Sequence, residues 1–229
     1  MSPVQNGQRE AFRMALEALE ETGLLGFILV IGSWAEYLYQ EAFPGKGFEM
    51  SLRTRDVDLF LENMRKPPEP AGLVEALKKR GYLLDIDRVT GAGRFYREDL
   101  LELQFLVRAM GSATELSYNV PALSVRAEGL RDLDIFSLEP VTVRWEGHSV
   151  RIPAPEAFVL QKLLILDERQ GWKREKDVEA IRMVLAHLVN PPALAMRFGL
   201  LSKARKKRVL ANAAEWGIAL PVSGETTRP

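Results

Sequence analysis

The chain has 229 residues, 47% hydrophobic and 27% charged, with 31 Lys+Arg against 31 Asp+Glu, two histidines and no cysteine. This composition excludes disordered, collagenous and coiled-coil classes, and zero net charge gives no general attraction to nucleic acid or an anionic membrane. Without cysteine there is no disulfide framework, thiolate nucleophile or Cys-ligated metal, so any metal chemistry falls to carboxylates.

The first twenty residues contain acids and no apolar run of signal-peptide length, and residues 24–31 are far shorter than the ~20 residues of a membrane helix. A cytoplasmic protein with no membrane partner is expected. Apolar residues at Phe12, Met14, Leu16 and Leu19, with Gly23 beyond, predict a helix over 8–21. The β-branched run at 27–31 reads as a buried strand. It meets Gly32-Ser33, after which 34–42 is aromatic and apolar until Pro44, giving strand, tight turn, helix. A loop at 44–51 leads to a strand over 56–61, in which Asp56 and Asp58 alternate with apolar residues.

Pro67, Pro68 and Pro70 predict a turn, followed by a helix over 72–80 and strands at 82–89, 94–97 and 100–108, the last two paired around Glu98-Asp99. Residues 117–138 lack clear periodicity. Residues 141–145 and 149–152 flank Glu146-Gly147-His148 as a hairpin. Beyond Pro153 and Pro155 the pattern is helical, over 156–169, 176–188 and roughly 200–216, with a frayed tail at 223–229. The expected class is α+β: a mixed domain over 1–153 and a helical domain over 154–229.

Asp56 and Asp58 lie two apart on one strand, hence on one face with Cα atoms ~6.6 Å apart, and can converge on a divalent ion such as magnesium. The Gly32-Ser33 turn opens a helix with unsatisfied N–H groups and a hydroxyl, a small phosphate cradle. Together they suggest a nucleotide; separately, they read equally as a solvated strand face and an ordinary turn. Lys162 interrupts a helix that is apolar almost all round, so it needs an anion or a route for its ammonium to water. Arg169 lies on nearly the same face, and Lys176 starts the next helix, with Asp177 placed to favour that helix's N-terminus. The basic run Lys203, Arg205, Lys206, Lys207, Arg208 reads as a solvated face or a phosphate-tracking patch.

The segments GSWAEYLY (32–39), RTRDVDLFL (53–61), LELQFL (101–106) and VRIPAPEAFVLQKL with its following Arg and Lys-Asp (150–177) resemble the nucleotidyltransferase-fold proteins of the DNA polymerase β superfamily. The match is closest to bacterial predicted nucleotidyltransferases with a C-terminal helical domain. The resemblance implies that Gly32 and Ser33 contact nucleotide phosphates and that Asp56 and Asp58 bind magnesium, with two ions in play. It also implies that the helical half closes over the nucleotide with Lys162 in the cleft, where Arg169 and Lys176 are further candidate nucleotide-binding cations. The family's third acid falls at Gln104; Glu102, two residues earlier on the same strand face, is the candidate substitute as metal ligand and catalytic carboxylate. The implied reaction moves an NMP from an NTP, with ATP as the working case, to an acceptor hydroxyl on a small molecule, protein or tRNA. Gln104 leaves a lapsed nucleotide- or partner-binding protein as one alternative, and the basic C-terminal helix leaves an RNA-binding module as another.

Overall fold

The computed structural model describes residues 3–50, 54–67, 69, 71–110 and 116–222. The tail at 223–229, Pro68, Pro70 and the start of the second resemblance segment lie outside these residues. Helix α1 (Pro3–Glu21) precedes β1 (Ile28–Ile31), α2 (Gly32–Ala42), β2 (Asp56–Leu61), α3 (Leu73–Lys79), β3 (Leu83–Ile86), β4 (Gly93–Arg97), β5 (Leu101–Arg108), β6 (Ser117–Val120) and β7 (Val125–Leu130). The hairpin β8 (Val141–Trp145) and β9 (His148–Ile152) leads into α4 (Pro155–Ile165), α5 (Trp172–His187), α6 (Pro191–Leu200) and α7 (Lys203–Glu215).

A seven-stranded mixed sheet is the centre of the molecule. Strand β2 runs antiparallel to β1 and parallel to β5. The other edge of the long strand β5 is shared, with β4 antiparallel along residues 101–104 and β7 parallel along 106–108. The sheet is thus the α+β arrangement expected from the sequence, and the helical run follows it. Parallel pairing of β2 with β5 is what matters for the site. It sets Asp56 beside Glu102 and Asp58 beside Gln104, on one face at one end of the sheet.

All four residues of β1 are buried, as the unbroken apolar run requires. Trp34 and Tyr39 on α2 are fully buried, and the Tyr39 hydroxyl donates to the carbonyl of Pro153, tying α2 to the start of the helical half. Every residue of α4 from Pro155 to Leu164 is buried, so α4 is an interior helix packed against α5, α6 and α7. One hydrophobic cluster runs from α1 through the sheet to α7. No described helix is long and apolar enough to cross a membrane.

Several boundaries differ from those predicted. The unassigned stretch 117–138 contains β6 and β7, whose four and six residues are too short to show a period. The helix expected over 156–169 ends as α4 at Ile165, with a 3₁₀ turn after it, and α5 begins at Trp172, four residues before the expected start. Helix α6 was not anticipated, because Pro191 and Pro192 look like a break. They occupy its first turn, where a missing N–H costs nothing, and the Asn190 side chain caps the helix by accepting from the Ala193 amide.

Candidate functional site

The end of β1 delivers the chain into α2 through Gly32, whose φ of +64° is left-handed backbone. Ile31 pairs with Asp58 across β1 and β2, which brings the Asp58 carboxylate over the turn. A Cβ on Gly32 would sit 2.5 Å from Asp58 Oδ2, so both backbone angle and space demand glycine here. Sequence reasoning assigned the two motifs to one site, and the structure brings them into contact.

Around this junction opens a cleft of about 530 Å³ between the sheet and helices α4 and α5. Its sheet wall carries Asp56, Asp58, Glu102, Gln104 and Glu128. Asp58 has no hydrogen bond or ion pair among the described residues. The residue is half-buried, and desolvation of its carboxyl low in the cleft, partly countered by the field of Lys162 and reinforced by Asp56, pushes it up to about 6. Asp56 lies nearer solvent, with only a long contact from the Thr54 hydroxyl at 3.4 Å.

Glu102 stands beside Asp56 in register, but its carboxylate rests on Arg94 at 3.1 Å. Arg94 also reaches Asp87 at 3.1 Å and approaches Glu128 at 3.9 Å. Gln104, in register with Asp58, donates its amide to Glu128 on β7. Glu128 is therefore a cleft carboxylate that sequence reasoning missed, and half-burial pushes its carboxyl above the ordinary value. No periodic signal marked β7, so its acid had no strand face to be assigned to. Among the described residues no group of three or more His, Cys, Asp or Glu converges as a metal cluster. Arg94 accounts for part of this, because it holds Glu102 in a salt bridge.

The helical wall carries Lys162, Arg169, Trp172, Lys173, Lys176 and Asp177. Lys162, 8% exposed, lines the cleft as expected, but its direct anion is Asp177 at 2.5 Å rather than either aspartate of β2. Arg169 Nε lies 3.0 Å from the other oxygen of Asp177 without the alignment of a hydrogen bond, leaving both atoms buried and ion-paired only. Asp177 is thus not simply a favourable acid near a helix start; it is the buried counter-ion of two cations. Lys176 reaches across the cleft and donates to the Ser33 hydroxyl at 2.9 Å. Every nucleotide-site residue named from the sequence therefore faces this cleft.

Glu36, one turn into α2, is 1% exposed, and neither of its oxygens has a hydrogen-bond partner. Burial raises its carboxyl above the ordinary range against the opposing fields of Lys162 and Lys176. A second cavity of about 340 Å³ adjoins the cleft, sharing Leu130, Gln161, Ile165 and Arg169 as common lining. The basic C-terminal run sits elsewhere. Arg205 is bound to Asp132 and Asp134, and Arg208 to Asp167 and Glu168, so two of its five cations serve internal pairs.

A sequence profile described as nucleotidyltransferase matches residues 11–196. Among solved structures, an antigenic nucleotidyltransferase-like protein from Paracoccidioides brasiliensis superposes with a TM-score of 0.53 at 17% identity, covering 90% of this chain and 87% of that one. That likeness concerns the fold. A lincomycin-bound lincosamide antibiotic adenylyltransferase, LnuA, superposes with a TM-score of 0.39 at 11% identity, covering 69% of this chain and 86% of that one. No curated protein matches the chain.

Proposed function

The chain belongs to that nucleotidyltransferase family, and from this premise we propose that it is a magnesium-dependent enzyme moving an NMP from an NTP to an acceptor hydroxyl. The observation that carries the reading is Asp58: a carboxylate low in the cleft, without a hydrogen bond or ion pair among the described residues, pressed against a glycine turn that a Cβ would fill. A half-buried carboxylate without a partner costs free energy that a cation relieves, and a divalent ion would do so. Asp56 and Asp58 suit magnesium, which binds through one or two carboxylates and takes its other oxygens from water and substrate phosphates. Two protein acids are enough for that. When bound, the ions would neutralise charge on the phosphates and leaving group and lower the pKa of the attacking hydroxyl.

The chain's own groups supply the rest. Ser33, the N–H groups opening α2 and the Lys176 ammonium form the phosphate cradle. Lys162 and Arg169, held by Asp177, add positive field behind it. The acceptor oxygen attacks the α-phosphorus, the bond to the β-phosphate oxygen breaks, and pyrophosphate leaves. We assign the proton of the acceptor hydroxyl to Glu102, beside Asp56 in register, with Arg94 as the group that orients it. The adjoining cavity is the acceptor's place in this reading, since it shares four lining residues with the cleft. Residues 1–153 then hold the catalytic half and 154–229 the half that closes over the nucleotide. Cytoplasm is the working compartment because NTPs are held there.

Calorimetry with magnesium and a panel of NTPs tests the reading. The wild type should bind with magnesium present, and Asp58→Ala should abolish the magnesium-dependent part. Unchanged affinity in that variant would refute the metal site. A lapsed, binding-only protein has one observation behind it, the Gln104 amide locked on Glu128. It would bind magnesium NTP yet release no pyrophosphate with any acceptor extract.

A further inference from the structure

Trp172 is 68% exposed and lines the cleft as the first residue of α5. Phe136, the other aromatic in that lining, is only 2% exposed and packs into a small cluster with Leu29, Ile31 and Phe60. Among the described residues the Trp172 indole belongs to neither hydrophobic cluster. Its ring lies 6.0 Å from the Lys173 ammonium, the outer limit of a cation–π contact. A single exposed aromatic is unremarkable by itself, but one that lines a polar cleft offers a bound ligand a flat apolar face.

Its position along α5 says which part of a ligand that is. Trp172 and Lys176 are four residues apart, so they share a helix face and are separated by ~6 Å along the axis. Lys176 is the residue that reaches Ser33 at the phosphate cradle. A polyanion held by Ser33 and Lys176 therefore has a flat π-surface one helical turn away, flanked by the cations Lys173 and Arg169. We propose that Trp172 is the platform on which the nucleobase of the NTP stacks. This rests on the nucleotidyl-transfer reading and adds to it the base subsite. Stacking on an indole reads a π-face and not a hydrogen-bond pattern, so the subsite accepts all bases, with purines favoured over pyrimidines by their larger face.

The experiment is calorimetry on the full chain with magnesium ATP, magnesium CTP and magnesium tripolyphosphate, for wild type, Trp172→Ala and Trp172→Phe. Trp172→Ala should weaken ATP by roughly tenfold or more and leave tripolyphosphate unchanged, while Trp172→Phe recovers most of the loss. In the wild type, ATP should also shield the exposed indole from acrylamide quenching, and tripolyphosphate should not. Equal ATP affinity in wild type and Trp172→Ala overturns the proposal. So does an equal loss for ATP and tripolyphosphate, which would make Trp172 a support for α5. Loss of transfer at unchanged ATP affinity would reassign the indole to the acceptor and also overturn it. A wild type that binds no nucleotide defeats the underlying reading and this one together, whereas nucleotide binding indifferent to Trp172 defeats this one alone.

Discussion

Along the sheet wall of the cleft, half-buried Asp58 has no hydrogen bond or ion pair among the described residues, whereas on the helical wall Lys162 and Arg169 both rest on Asp177. The sheet wall keeps an acid without a partner, whereas the helical wall pairs its one acid with two cations and, with Lys173 and Lys176, stays net positive. The physical difference is that removing one partner of a buried pair is costly because it leaves a charge behind, while an unpaired acid costs stability until a cation binds. A cleft built this way holds its cations in place beforehand and leaves room for an added positive charge only at the acids.

The largest expected effect comes from breaking the compensated wall. Lys162→Met should lower the stability of the metal-free protein by about 3 kcal/mol or more in urea unfolding, because it removes the hydrogen-bonded partner of buried Asp177 and leaves it only the ill-aligned Arg169. Adding Asp177→Leu should recover much of that. A cost under about 1 kcal/mol for the single variant would mean that water screens the pair and that the wall is not compensated internally.

At the uncompensated wall the sign reverses. Asp58 has its carboxyl raised to about 6 in the folded protein, against 3.8 as its ordinary value. The folded state therefore holds a proton that the unfolded chain gives up, and stability falls as pH rises from about 4 to 6, by on the order of 3 kcal/mol. Asp58→Asn removes that penalty. It should be more stable than wild type at pH 7, with the gap closing below about pH 4, while NMP transfer is lost. An Asn variant less stable than wild type at pH 7 would show that Asp58 has a partner in the empty protein.

Gly32 sits where the two motifs meet, and its variant measures how closely they do. Gly32→Ala should cost roughly 1–3 kcal/mol, part from left-handed backbone and part from a methyl 2.5 Å from Asp58 Oδ2. The second part should disappear in an Asp58→Ala background. A double-mutant cycle without coupling would leave only the backbone cost and remove the close approach.

These residues also show what a sequence can disclose. Gly32-Ser33 and Asp56-x-Asp58 were legible because local rules fix them: a positive φ calls for glycine, and a two-residue strand period puts both acids on one face. The buried α4 was legible from its unbroken apolar character, and so was the need of Lys162 for an anion. The anion itself was not, since Asp177 lies fifteen residues on and only the packing of α5 on α4 brings it in. Glu128 was hidden for the same reason. It sits in a six-residue strand that joins the sheet by parallel pairing to β5, a contact that no local periodicity announces. Arg94 was overlooked as the residue that holds Glu102, because cross-strand register decides which acids a cation meets.

The smallest effect should come from the bond that joins the two walls, Lys176 to Ser33 at 2.9 Å. It is partly exposed, so each single variant, Ser33→Ala or Lys176→Met, should change stability of the empty protein by less than about 1 kcal/mol. Such a bond is weak enough to yield to a phosphate. If the ammonium and hydroxyl turn from each other to a shared anion, both variants should lose magnesium-NTP affinity by roughly tenfold, far more than their stability change implies. The pair should also be non-additive in the empty protein, because removing either partner already removes the bond, yet closer to additive in nucleotide binding, where each donates separately to phosphate. That contrast, measured by urea unfolding and calorimetry on the same four proteins, separates a phosphate cradle from a structural staple. A staple would show additivity of neither kind: a stability loss above about 2 kcal/mol in each single variant and no disproportionate loss of nucleotide.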